Sequence, residues 1–233
     1  MKQMVRRVMD TDVEDTETIT DDDLYALSGG SSEQKAENVE MLLYELDQLV
    51  GLESVKAWAH DLIDEVRANT RLASVQPTMD RPTYHMVFTG NPGTGKTTVA
   101  AIISKLFYNL GILETPTVKE VDRSSLVGSW IGHTEANTTR AIDEAMGGVL
   151  FVDEAYQLHV EQSPNDFGKM VIETFMTRLE NDREKFVAIF AGYTDQMHDF
   201  LAANPGLRSR IPLTIEFPDY TPEEVAHIVC ARL

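Results

Sequence analysis

The run Gly90-Asn91-Pro92-Gly93-Thr94-Gly95-Lys96-Thr97 leaves this chain few architectures to choose from. Its form is Gly-x-x-x-x-Gly-Lys-Thr, and its setting is as specific as its residues. Met86-Val87-Phe88 before it reads as a buried strand. After it, Val99, Ile102, Ile103, Leu106, Phe107 and Leu110 recur at helical spacing, and Gly111 follows as a C-cap. Strand, glycine loop, helix is the context in which this pattern holds phosphate; a chance glycine turn would lack both flanks. Glycines let backbone N–H groups curl around phosphate oxygens, and the helix N-terminus adds positive potential. Lys96 is placed to reach the β- and γ-phosphates of a nucleotide, and the Thr97 hydroxyl to hold Mg²⁺. Asn91, Pro92, Gly93, Thr94, Gly95 and Thr98 complete the expected binding loop.

A second half of the site is expected downstream. Val149-Leu150-Phe151-Val152 is a continuous apolar run, as a parallel strand buried on both faces requires. Asp153 and Glu154 follow it. Open α/β sheets place ligands at the carboxyl ends of strands. There Asp153 would take the hydration shell of Mg²⁺, and Glu154 would orient and deprotonate an attacking water. An ordinary strand ending in a solvated acidic turn would look the same in isolation. The phosphate loop upstream tips the reading towards catalysis.

Other segments alternate in the same way. Two entry helices are expected over about 36–73, from a stripe of Val39, Leu42, Leu43, Leu46 and Val50. Strands are expected near 84–89, 117–122, 149–153, 186–191 and 213–217. Helices fall at 96–110, 134–146, around Phe167 to Leu179, around Met197 to Leu201, and after Pro222. Strands alternating with helices mean a parallel α/β sheet covered on both faces. Residues 1–35 read as an acidic, disordered tail: residues 1–40 hold eleven acids against four bases, and 9–32 have few apolar residues. The net charge of −18 and the lack of a basic stripe argue against nucleic acid as a partner. The lone Cys230 allows no internal disulfide. No 18-residue apolar stretch or signal peptide is visible, so membrane insertion is not expected and a cytoplasmic location is.

From about Leu46 to Tyr220 the chain resembles the AAA+ ATPases, and within them the clade of the red-type Rubisco activase CbbX, stage V sporulation protein K and EccA. The resemblance rests on Leu49-Val50-Gly51-Leu52, His85 through Thr98, Leu126-Val127-Gly128, Ile131-Gly132-His133-Thr134, and Gly147 through Tyr156. It continues through Ala191-Gly192-Tyr193, Asn204 through Arg210, and Phe217-Pro218-Asp219-Tyr220. It implies a P-loop fold with strand order 5-1-4-3-2 over residues 36–220, ATP and Mg²⁺ as ligands, and ATP hydrolysis. Val50 and Gly51 match the segment that packs on adenine, although a plain helix–turn junction would use the same residues. Trp130, Ile131 and Gly132 match a central pore loop that grips a protein chain; the other reading of Trp130 is a core side chain. Tyr193 or Thr194 stands where a polar sensor of the γ-phosphate is placed. Arg210, with Arg208 as partner or substitute, matches the arginine finger; surface pairing with local acids is the alternative.

The family continues past the fifth strand into a helical lid, and residues 221–233 read as the start of a lid that is truncated or absent here. A homo-hexamer is expected when that lid is present. Two functions follow: an ATP-driven remodeller pulling on a protein target, or a nucleotide-dependent assembly or secretion-associated module with little turnover. The intact Glu154 and arginine pair favour the first; the short C-terminus favours the second.

Overall fold

The computed structural model of the chain describes residues 32–75, 82–128, 132–159 and 167–231. The acidic segment before Ser32 lies outside them, and so do Trp130 and Ile131. The described chain begins with α1 (Ser32–Asp47) and α2 (Glu53–Val75), followed by β1 (Met86–Thr89) and α3 (Lys96–Asn109). Next come β2 (Val118–Val121), α4 (Arg123–Leu126), α5 (His133–Glu144), β3 (Val149–Val152) and a 3₁₀ turn (Ala155–Leu158). The last elements are α6 (Gly168–Asn181), β4 (Val187–Gly192), α7 (Thr194–Ala203), α8 (Pro205–Arg210), β5 (Leu213–Glu216) and α9 (Pro222–Ala231).

All four strand pairings are parallel, and the order is β2-β3-β4-β1-β5. Read from the other edge, this is the 5-1-4-3-2 expected from sequence. Successive strand side chains alternate between faces, and the core divides accordingly. Met86, Phe88, Phe151 and Ile189 face α1, α2 and α3. Val87, Leu150, Val152 and Phe190 face the layer holding α5, α6 and α7. The inner strands are therefore apolar almost throughout: β1, β3 and β4 are fully buried, and their one polar side chain, Thr89, donates to the Ile215 carbonyl. Full burial of a ring such as Phe88 or Phe190 contributes about 1.5–3 kcal/mol. The edge strands are less buried, with Lys119 and Glu120 on β2 and Thr214 and Glu216 on β5 only partly covered or exposed. Charge on an edge discourages further strand addition.

The short α4 and the 3₁₀ turn are not among the expected elements, and three further details differ from the expectation. The first helix starts at Ser32, inside the segment read as tail. Val50 does not extend the α1 stripe: the helix ends at Asp47, and Gly51 (φ 64°) and Leu52 (φ 60°) turn the chain left-handed. Residues 205–210 form α8, with Pro205 in its first turn, where a missing N–H costs nothing. Among the described residues no helix is long and apolar enough to cross a membrane.

Candidate active site

Every strand of the sheet points its carboxyl end the same way, and a cleft of about 540 Å³ opens there. The glycine loop leaves β1 at Gly90, whose φ is 141° and whose N–H donates to the Gly192 carbonyl at 3.1 Å. A Cβ on Gly90 would stand 2.3 Å from the Phe217 carbonyl oxygen, so the loop passes β5 only because this residue has no side chain. Gly95, left-handed at φ 95°, caps α3 without any side-chain bond. The first N–H groups of α3 therefore stay directed at the loop, where an anion is stabilised.

The Lys96 ammonium lies across the loop. It donates to the carbonyls of Gly90 at 2.8 Å and Asn91 at 2.7 Å, and more weakly to Thr94 Oγ1 at 3.4 Å. Burial lowers its pKa, and the nearby Asp153 carboxylate opposes that shift. Pro92, Gly93, Gly95, Lys96, Thr97 and Thr98 line the cleft. Asn91 and Thr94 serve the loop differently. The Thr94 hydroxyl is buried and donates to the Asn91 carbonyl at 2.8 Å. The Asn91 amide donates to both carboxylate oxygens of Asp219, at 2.8 and 2.9 Å. Their side chains brace the loop from behind.

Asp153 and Glu154 line the same cleft, brought there by β3. The Asp153 N–H continues the strand ladder to the Val121 carbonyl at 2.8 Å. Glu154 is left-handed at φ 47°, one of two non-glycine residues with positive φ among those described. That conformation swings its side chain out of the strand direction at the start of the 3₁₀ turn. Tyr193 follows β4, lines the cleft, and sets its ring 5.8 Å from that of Tyr156. Burial raises the Tyr156 pKa, a hydrogen bond with the Gln157 side chain opposes that rise, and the charges of Glu154 and Asp153 add to it.

An apolar wall closes the other side. Leu49, Val50 and Leu52 face the cleft from the α1–α2 turn. Gly51 stands behind them, where a Cβ would lie 2.4 Å from Glu224 Oε1. Tyr220 and Ile228 complete this wall, although the sequence reading gives neither a role. The Tyr220 hydroxyl donates to the Thr94 carbonyl at 3.2 Å, and burial followed by the Glu224 charge raises its pKa. The run Phe217-Pro218-Asp219-Tyr220 is visible in sequence. Its contact with a loop over a hundred residues earlier is not.

Three expected site residues stand elsewhere. Arg210 donates from Nη1 to the Gly206 carbonyl at 2.9 Å and places Nε 3.2 Å from Glu180 Oε2. That contact is an ion pair by distance, but the Nε–H does not aim at the oxygen. Arg208 is exposed on the same short helix, with no ion-pair partner among the described residues. Neither lines the cleft. Gly132 caps α5 at φ 88° and is also away from it.

Residues 86–219 match the ATPase family associated with various cellular activities (AAA). The chain is a member of the AAA family. It is 44% identical over 203 residues to the protein CbbX of Cereibacter sphaeroides, covering 84% of this chain and 64% of that one. It is 43% identical over 199 residues to the ESX-3 secretion system protein EccA3 of Mycolicibacterium smegmatis, covering 85% of this chain and 33% of EccA3. The chain thus spans about a third of EccA3 and just under two-thirds of CbbX. Both relatives fall in the clade that the sequence motifs resemble. Among solved structures, the AAA domain of FIGL-1 in complex with ADP shares the fold at a TM-score of 0.56 and 18% identity, over 79% of this chain and 59% of that one.

Proposed function

We propose that this AAA domain hydrolyses ATP in the cleft and drives a ring-forming remodeller of a protein target. The observation that carries this reading is the convergence of Lys96, Thr97, Asp153 and Glu154 on one cleft at the carboxyl ends of β1 and β3. The α3 N-terminus and Lys96 suit the β- and γ-phosphates, and the apolar wall of Val50, Leu52, Tyr220 and Ile228 suits a purine. The Thr97 hydroxyl and the Asp153 carboxylate are hard oxygen donors of the kind Mg²⁺ selects. Bound there, Mg²⁺ would neutralise charge gathering on the phosphates. Glu154 accepts a proton from the attacking water as its oxygen bonds to the γ-phosphorus. The bond from the γ-phosphorus to the bridging oxygen breaks, and Lys96 meets the charge left on ADP. Tyr193 or Thr194 would sense the γ-phosphate, and the position of Tyr193 in the cleft lining supports the first.

The position of Arg208 and Arg210 outside the cleft supports action on a neighbouring subunit's nucleotide, as in a hexamer. Trp130, Ile131 and Gly132 are assigned to the loop that grips the target. A second reading, a nucleotide-dependent assembly module with little turnover, is favoured by the likeness to EccA3, named as a secretion system protein. Phosphate release separates the two. Wild type should release phosphate from Mg·ATP, whereas Glu154→Gln should retain bound ATP and release none. Equal rates would remove Glu154 as the base, and no release from wild type in the presence of targets would favour the second reading.

A further inference from the structure

Glu154 is held by hydrogen bonds within its own turn. Its N–H donates to Asp153 Oδ1 at 3.0 Å, and its carbonyl accepts the Gln157 N–H at 2.9 Å. Gln157 then returns to the side chain: its Nε2 donates to Glu154 Oε2. The Gln157 carbonyl is fixed in turn, accepting from Arg123 Nη1 of α4 at 2.6 Å. The start of α6 backs this contact closely, since a Cβ on Gly168 would stand 2.7 Å from Arg123 Nη1 and 2.2 Å from the Leu158 carbonyl oxygen.

We infer that Gln157 is a positioning residue for the Glu154 carboxylate, with Arg123 anchoring the turn that carries both. The inference rests on the reading of Glu154 as the base. An exposed glutamate has three rotatable bonds and explores many orientations, of which few present an oxygen to the attacking water. A single amide donor on Oε2 removes most of that freedom and leaves Oε1 available for the proton. Gln157 is suited to this because it is neutral: a cation would lower the basicity of the carboxylate that must take the water's proton, and a second acid would repel it. Misplacing a reacting group by about 1 Å can cost roughly a hundredfold in rate, so a small constraint here has a large kinetic effect.

The test uses the whole chain and two variants of similar size. Gln157→Met keeps the length but removes the donor; Gln157→Glu keeps the shape but adds a like charge. The expected result is a fall in kcat of about tenfold for Gln157→Met, within the range that misorientation produces, and a larger fall for Gln157→Glu. KM for ATP and the melting temperature should stay at wild-type values, which a merely structural role would not give. An unchanged or raised kcat in Gln157→Met overturns the inference. If the wild-type chain does not turn over ATP, the reading of Glu154 fails separately, and the contact is judged by NMR of ¹⁵N-glutamine-labelled protein. The Gln157 side-chain amide protons should shift in Glu154→Ala; identical shifts would overturn the contact.

Discussion

At the residue scale, the loop shows how similar side chains acquire different duties. Lys96 and Thr97 line the cleft, whereas Asn91 and Thr94, polar residues of the same run, are spent on Asp219 and on the loop's own carbonyl. The motif makes the first pair legible in sequence, because Lys and Thr stand at fixed positions in it. The duty of Asn91 depends on Asp219, which lies beyond β5 and which no local pattern links to the loop. His85 is a similar case. It sits fully buried at the foot of β1, where its Nδ1 accepts the Ala188 N–H at 3.1 Å. Burial lowers its pKa to about 4, against a smaller opposing pull from the Leu179 backbone. Above the unfolded pKa of about 6.5 it is neutral in both states and has no effect on pH dependence. As pH falls from there towards about 4, the unfolded chain takes a proton that the folded one refuses, and stability drops by about 1.4 kcal/mol per pH unit. Urea unfolding across that interval should show this slope, and His85→Asn, which keeps an acceptor but cannot titrate, should flatten it.

At the element scale, β1, β3, β4 and α3 are legible because each has a strong pattern: unbroken apolar runs for the inner strands and a helical stripe after Lys96. The 3₁₀ turn and α8 are too short for any period to show, at four and six residues. Glu154 caps the first and both arginines lie on the second, so their residue types are legible in sequence but the elements that carry them are not. The glycine loop depends on how closely elements pass. Gly90 combines a φ of 141° with the Phe217 carbonyl beside it. Gly90→Ala should therefore cost about 1–3 kcal/mol in backbone strain and displace the loop from β5. Chemical denaturation should show the loss, and calorimetry should show weaker ATP binding. Wild-type values for both would mean that the loop tolerates a side chain at this position.

At the scale of the whole molecule, the sheet's two buried faces fix α3 and the 3₁₀ turn on one rim, and this makes a single cleft from residues far apart in sequence. The two arginines are on that body but outside its cleft, and a guanidinium acts only where it touches developing charge. If they serve a neighbour, turnover per chain must rise with protein concentration as rings form, and Arg210→Ala must lose that rise while still binding ATP. Turnover per chain that is independent of concentration would place catalysis within one subunit. Each of these outcomes presupposes that the cleft binds Mg·ATP through Lys96. Calorimetric titration of a slowly hydrolysed ATP analogue with Mg²⁺ into wild type and Lys96→Ala tests this most directly. Wild type should bind with one site per chain, and the variant, without the charge that meets the β- and γ-phosphates, should bind far more weakly or not at all. Equal affinity in the two proteins would contradict the assignment of the cleft.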